Sequence, residues 1–394
     1  MSGSILTLNA GSSSLKFALF ENSESLTETV RGEIENLEDA PYFCARDNAG
    51  KLLAEKYWPA EAAPSFDDVL GVLLTFAEAH LGHGGLAAVG HRVVHGGAEH
   101  IAPALVTPEL LQSLAALTPL DPLHMPHNLA PMRAIAAARP ALPQVACFDT
   151  GFHHTLPPVA REFALPRAIT QSGVRRYGFH GLSYEYISRR LQTQVPKLAS
   201  GRVIAAHLGA GASLCALHKG VSIATTTGFS ALDGLMMATR CGRLDPGVLL
   251  YLGAQGHSFS DIETMLYHHS GLAGVSGISG DVRVLLASSD AQAKAAIDLF
   301  CYQIAIEVGG LASALGGLDG LIFTAGIGEH APAIRAAVCE RLAWLGVRLD
   351  IAANNLNAAC ISTPESRISV HVIATNEEAM IARHTRDIQQ AKIS

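Results

Sequence analysis

Apolar and polar positions alternate at one period and then another along the chain. Residues 5–20, ILTLNAGSSSLKFALF, run as an apolar stretch to Asn9, a turn of small residues (Ala10, Gly11, Ser12, Ser13, Ser14) and a second apolar stretch. That pattern predicts strand, tight turn, strand. Residues 30–34 and 42–57 continue as strands, the latter broken at Asp47-Asn48-Ala49-Gly50. The period then changes: Val69, Leu70, Leu73, Leu74 and Phe76 recur at helical spacing behind the cap Ser65. A strand over 87–94, a helix opened by Thr107-Pro108, a helix over 128–138 and a buried strand over 145–148 complete the first block.

The order then restarts. A helix over 184–195 precedes residues 203–217, VIAAHLGAGASLCAL, which repeat the strand, small-residue turn and strand of the opening. Aligning Ser14 on Ser213 gives an offset of 213 − 14 = 199 residues, about half the chain of 394. A strand over 221–225 follows, then a helix opened by Asp245-Pro246 and closed near Gly256. Residues 260–263, SDIE, predict a capping box for the next helix. Residues 291–315 form an Ala-rich helix interrupted at Gly309-Gly310. A strand over 318–324 feeds a turn at Gly326-Ile327-Gly328, and helices over 332–345 and 377–390 end the chain. Two blocks, each a sheet flanked by helices, predict an α/β fold of two duplicated domains, with the change at the turn 149–156.

Composition narrows the class. Hydrophobic residues make up 49% and charged residues 16%, a globular balance that excludes disorder. A net charge of −7 provides no basic footprint for nucleic acid. No uninterrupted apolar run reaches the roughly 18 residues of a membrane helix, and no signal-like leader opens the sequence, so a soluble, cytoplasmic protein without a membrane partner is expected. The seven cysteines are odd in number and never form C-x-x-C, which predicts reduced, mostly buried thiols.

Glycine-rich turns follow strand-like runs at Gly11, at 209–211, at Gly228 and at 326–328. Strand ends of this kind let backbone N–H groups approach phosphates, and several together predict a large polyanionic ligand. No G-x-x-x-x-G-K-[ST] is present, so a Walker A geometry is excluded. Arg92, before His95-Gly96-Gly97, and Arg240, among small residues, can fork onto carboxylate or phosphoryl oxygens. Asp149 ends a buried strand, and Asn9 and Glu377 are further oxygen donors, enough for Mg²⁺ completed by substrate and water. The eighteen histidines form no H-E-x-x-H, which argues against zinc. A competing reading is a dehydrogenase: residues 326–331, GIGEHA, follow a strand, with Asp350 about twenty residues on. Ser276 misses G-x-S-x-G by one position, so a hydrolase is not supported.

With these residues in view, the chain resembles the acetate kinase family of the sugar kinase, actin and heat-shock ATPase superfamily. The likeness is carried by NAGSSSLKF from Asn9, HRVVHGG from His91, FDTGFHHTLP from Phe148, RRYGFHGLS from Arg175, TTTGFSALDGLMMATRCGRLDPG from Thr225, SGDVR from Ser279, FTAGIGEH from Phe323 and TNEEAMIAR from Thr375. It implies two ribonuclease H-like domains, 1–150 with 376–394 and 151–375, facing across a nucleotide cleft, in a homodimer. It implies reversible phosphoryl transfer between ATP and acetate, giving ADP and acetyl phosphate, with propionate or other short acids as alternative acceptors.

The resemblance also implies roles. Arg92 and Arg240 would hold the acetate carboxylate and the moving phosphoryl, His180 would assist the transition state, and Asp149 would take the family's proton-transfer position. Acetate is already ionised at neutral pH and needs no base, so we assign Asp149 the orientation of Arg92 or of a Mg²⁺-bound water. Asn9 and Glu377 would hold Mg²⁺, with Mn²⁺ as a substitute, and Lys16, Ser12 and Ser14 would meet the phosphate end. His207, Leu208, Gly209, Ala210 and Gly211, Asp281, Val282 and Arg283, and Gly326, Ile327, Gly328, Glu329 and His330 would line the ATP site. Val94, Leu123 and Phe179 would form the acetate methyl pocket, with His124 a further site residue. Three positions depart from the commonest family pattern: Ala210 and His330 each stand in place of Asn, and Ala231 in place of Pro. The last predicts a wider acyl pocket and measurable activity with propionate.

Overall fold

A computed structural model describes residues 3–393 apart from Ser12, Glu38, Ala63 and His83. The chain divides into two compact units, residues 1–151 with 376–394, and residues 152–375.

The first unit is built on strands β1 (Ser4–Ala10), β2 (Leu15–Glu21), β3 (Glu28–Glu35), β4 (Tyr42–Asp47), β5 (Leu52–Tyr57), β6 (Leu86–Val93), β7 (Ala104–Leu105) and β8 (Gln144–Phe148). They form one mixed sheet in the order β5-β4-β3-β2-β1-β6-β8-β7. β1 runs antiparallel to β2 and parallel to β6, and β6 runs parallel to β8. Alternation along β1 and β2 decides which face each residue takes. Leu6, Leu8, Phe17 and Leu19 join the core under the helix Phe66–Ala79, while Ile5, Ala18 and Phe20 pack with Ala382 of the helix Glu377–Ile393. That last helix lies over β1, β6 and β8. Gly90 admits it: a Cβ there would stand 2.2 Å from Thr385 Oγ1 and 2.5 Å from Ile381 Cγ2.

The second unit holds β9 (Arg202–Leu208), β10 (Ala212–His218), β11 (Val221–Thr225), β12 (Gly320–Thr324) and β13 (Ser369–Val372), in the order β11-β10-β9-β12-β13. Its directions repeat those of β3-β2-β1-β6-β8, so the duplication is structural. Ile204, Ala206 and Leu214 point to a core roofed by the helix Ala291–Leu315, and Val203, Ala205 and Cys215 to one roofed by the helix Gly181–Gln194. Ala291–Leu315 is long and apolar enough to cross a membrane by length and composition. Here it is the core helix of its unit, with Ala293, Ala296, Phe300, Cys301 and Ile304 buried and Lys294 paired to Asp298 outside.

Several local expectations are corrected. The capping box is Ser258 with Asp261, not the SDIE segment: Ser258 Oγ accepts from Asp261 N at 3.1 Å while Asp261 Oδ2 accepts from Ser258 N at 3.0 Å. The helix Ala291–Leu315 runs unbroken through Gly309-Gly310, because burial of Val308, Leu311 and Ala312 on either side outweighs the cost of about 1 kcal/mol per glycine. It stops at Gly316, whose φ of 67° closes it left-handed. Residues 325–330 form a short helix rather than a turn. The helices placed at 128 and 184 start earlier, at Met125 and Gly181. The hairpin repeat also shifts register. Asn9 pairs with Lys16 and His207 with Ser213, so Lys16 rather than Ser14 matches Ser213, an offset of 213 − 16 = 197. A slip of two residues preserves the faces, which is why the sequence pattern tolerates either alignment.

Candidate active site

In the first unit the parallel strands deliver their C-terminal ends to one cluster. Arg92 is the penultimate residue of β6, Asp149 follows β8, Asn9 is penultimate in β1, and Glu377 opens the last helix. Arg92 donates from Nε (2.9 Å) and Nη2 (2.5 Å) to Asp149 Oδ2, and from Nη1 to Asn9 Oδ1 at 3.3 Å. Glu377 Oε2 lies 3.9 Å from Arg92 Nε and accepts from Asn9 Nδ2 at 3.4 Å. Burial opposes the Arg92 charge, but the carboxylates of Asp149 and Glu377 more than offset it, and the guanidinium is held protonated more firmly than a free arginine. Glu377 behaves in the opposite way. Its carboxyl is raised to about 7: burial pushes it up most, Arg92 pulls it down, and Asp149 and Glu378 push it up. Asp149 is wholly out of solvent, and its Oδ1 has no hydrogen-bond partner among the described residues.

The neighbouring helix Met125–Ala138 is docked on the same strand ends by Asn128, which accepts from Val94 N at 2.8 Å and donates to Ala10 O at 2.7 Å. One turn earlier His124 takes the helix N-cap position, its Nδ1 2.8 Å from Asp121 Oδ1. Val94 is buried, Leu123 half-buried, and Lys16 exposed across from Asn9. Ser14 is half-buried and its carbonyl accepts from Gly11 N at 2.8 Å, tightening the turn; Ser12 lies outside the described residues.

In the second unit His180 takes a left-handed backbone, φ 59°, to cap the helix Gly181–Gln194. Its Nδ1 is 2.7 Å from Ser213 Oγ in β10. Its ring stacks on His207 of β9, centroids 4.2 Å apart and planes within 15°. The turn 209–211 joins those strands, and Ala210 O accepts from Ala238 N at 3.1 Å, binding the turn to the segment that carries Arg240. Arg240 Nη1 donates to Ala231 O at 3.3 Å. Phe179 is buried and held by N–H donation to Thr227 Oγ1 at 3.0 Å and by His153 Nε2 at 3.0 Å from its carbonyl.

The remaining nucleotide candidates differ in what they offer. Leu208 and Val282 turn their side chains into the core, leaving only backbone. Asp281 caps the helix Val282–Ala287 and forks onto Arg283, whose side chain is 90% exposed. Glu329 is a brace: its Oε1 accepts from Ala325 N at 2.8 Å and Thr375 N at 3.0 Å, holding Ala325 at φ 64°. Gly326 is exposed, Ile327 packs against the core, and Gly328 is buried. His330 is 76% exposed.

Two supports escaped the sequence reading. Arg176 Nη1 donates to Thr226 O (3.0 Å) and Thr227 O (2.6 Å), fixing the TTTG turn. Arg335 is completely buried with no carboxylate partner among the described residues. It donates to Gly328 O (2.9 Å), Glu329 O (3.0 Å), Asn354 O (2.7 Å) and the side-chain oxygens of Asn354 and Asn357, where its charge meets the C-terminal carbonyls of the helix Ala325–His330. The Arg176 signal lay within RRYGFHGLS; Arg335 looks like any solvent-facing helix charge in sequence.

The acetokinase family model covers residues 4–383. The chain belongs to the acetokinase family. It is 54% identical over 391 residues to an acetate kinase of Rhodopseudomonas palustris, covering 98% of each chain, and 48% identical to an acetate kinase of Nitrobacter hamburgensis, covering 97% of this chain and 95% of that one. Among solved structures it resembles a propionate kinase from Francisella tularensis (TM-score 0.91, 37% identity, 98% and 100% coverage) and the acetate kinase of Porphyromonas gingivalis (TM-score 0.87, 34% identity, 98% and 99% coverage). The chain is therefore a kinase enzyme, with ATP as co-substrate. The dehydrogenase alternative is overturned. Physically, β10 and β11 run antiparallel beside β9, and only β13 lies beyond β12, so GIGEHA has no doubly wound parallel sheet to serve.

Proposed function

We propose that the chain transfers a phosphoryl group reversibly between ATP and acetate, and that the Arg92 cluster carries the reaction. The supporting observation is the grip of buried Asp149 on Arg92: two bonds to one oxygen fix the fork, leaving the guanidinium oriented and permanently charged. Phosphoryl transfer is positioning plus electrostatics, and a preset cation costs nothing to reorganise as charge spreads. In this reading Arg92 takes the acetate carboxylate, Val94, Leu123 and Phe179 receive the methyl, and His124 donates to a substrate oxygen. Asp149 orients Arg92 and moves no proton. Arg240 and His180 neutralise the moving phosphoryl. The segments 207–211, 281–283 and 326–330 serve the nucleotide, and Lys16, Ser12 and Ser14 serve its phosphates.

A divalent cation fits this donor set. Asn9 and Glu377 supply hard oxygens, and Asp149 Oδ1 has no hydrogen-bond partner among the described residues. Asn9 and Glu377 would hold Mg²⁺ or Mn²⁺, which supplies charge neutralisation to the phosphates. We further propose a cytoplasmic homodimer that uses the exposed apolar residues Leu249, Leu250, Tyr251 and Phe259 of the second unit.

Acetate is favoured over propionate because the relatives of higher identity are acetate kinases. An acyl-hydroxamate assay with Mg-ATP and acetate, propionate or butyrate tests the reading, with NAD and a hydroxy acid as control. ATP-dependent hydroxamate, highest with acetate, supports it; a product with NAD alone rejects it.

A further inference from the structure

We propose that Tyr184 is a positioning residue that sets the proton of the His180 imidazole through Ser213. The inference deepens the role given to His180 above and rests on it. Tyr184 lies in the first turn of the helix that His180 caps, its N–H donating to His180 O at 3.1 Å. Its hydroxyl is 2.5 Å from Ser213 Oγ, which is itself 2.7 Å from His180 Nδ1. Tyr184 and Ser213 are both fully buried, so their hydroxyl hydrogens must be used inside the protein.

Ser213 has one hydrogen to give and two partners. A phenol is the stronger acid and so the better donor of the two hydroxyls. Tyr184 therefore donates to Ser213 Oγ, and Ser213 donates to His180 Nδ1. The imidazole proton is left on Nε2. That nitrogen is directed at the hairpin turn, where a Cβ on Gly211 would stand 3.2 Å from it. His207 stacks flat on the ring and is anchored by its own serine, with Nδ1 2.8 Å from Ser183 Oγ. Two serines thus hold two imidazoles by Nδ1, and the phenol decides the tautomer of the first. The ligand oxygen that meets His180 then finds an N–H donor already formed.

The test compares Tyr184→Phe, Ser213→Ala, His180→Ala and the double variant Tyr184→Phe/His180→Ala in steady-state kinetics with Mg-ATP and acetate, with ¹⁵N-histidine NMR of the full-length protein. Tyr184→Phe keeps the ring and should melt close to the parent; Ser213→Ala carries the same expectation should the first variant misfold. Both should lower kcat about tenfold with each KM within roughly threefold, and Tyr184→Phe should add nothing in the His180→Ala background. The parent's His180 signals should be those of the Nε2–H tautomer and those of Tyr184→Phe a mixture of both. Unchanged kcat and tautomer in both single variants, or a full tenfold further loss in the double variant, overturns the proposal while leaving His180 its role. Parental kcat in His180→Ala overturns that role and the proposal together.

Discussion

Arg92 and Asp149 meet through a single carboxylate oxygen: both guanidinium bonds end on Oδ2, and Oδ1 stays buried without a partner among the described residues. A carboxylate placed to shuttle protons to substrate would keep an oxygen on an open path. In the reading proposed above, this one holds the Arg92 guanidinium still through Oδ2.

Replacing Asp149 separates the two roles. Asp149→Ala leaves Arg92 in a site built for a carboxylate and should destabilise the protein by about 3 kcal/mol, read from denaturant melts. Asp149→Asn should weaken acetate binding and kcat together without moving the pH profile of kcat/KM. A lost titration step would instead mark Asp149 as a proton carrier.

Gly90 couples the sheet to the helix that starts at Glu377. Gly90→Val should cost on the order of 2–3 kcal/mol, since its side chain would overlap Thr385 and Ile381. The same variant should require more Mg²⁺ for half-maximal activity, because the displaced helix carries Glu377.

Among the described residues Arg335 donates to neutral acceptors alone, and removing it leaves the carbonyls of Gly328 and Glu329 without their side-chain donor. Arg335→Met should lower stability by about 2–4 kcal/mol and raise the KM for ATP more than that for acetate. Equal rises in both would show that the segment 325–330 does not serve the nucleotide.

His91 makes stability depend on pH. It is fully buried on Gln144 Oε1 at 2.8 Å, and burial lowers its pKa to about 4 from 6.5. Between those values the unfolded chain binds the proton and the folded one does not, so stability is present above pH 6.5 and is lost as pH falls toward 4. The loss is roughly 3 kcal/mol for this group. Urea melts of His91→Gln across that range should show a correspondingly shallower slope.

Propionate probes the acyl pocket. One methylene is worth only about 1–3 kcal/mol, so kcat/KM for propionate should fall less than about a thousandfold below acetate. A larger gap would mean that Ala231, whose carbonyl takes Arg240, does not widen the pocket.

Strand alternation and small-residue turns made the two hairpins legible, because a face buried under a helix forces apolar residues to every second position. Arg92, Asp149, Asn9 and Glu377 were legible for a related reason: each closes or opens an element at the strand ends, where glycines thin the chain. Local rules failed where tertiary contacts decide. Both Ser258 and Ser260 can cap a helix, and only the packing of Leu266 and Tyr267 selects the earlier start. Glu329 turns Gly326 from turn into helix by accepting from Ala325 N. Arg335 and Tyr184 carry no local mark, since their side-chain partners lie in other elements.

The central claim is acetate-dependent phosphoryl transfer organised by Arg92. ³¹P NMR of Mg-ATP with acetate tests it most directly, with the parent protein and Arg92→Ala side by side. The account predicts acetyl phosphate and ADP appearing in equal amounts with the parent, and a loss of about a hundredfold or more in the variant. Free phosphate released without regard to acetate, or acetyl phosphate formed equally fast by Arg92→Ala, would contradict it.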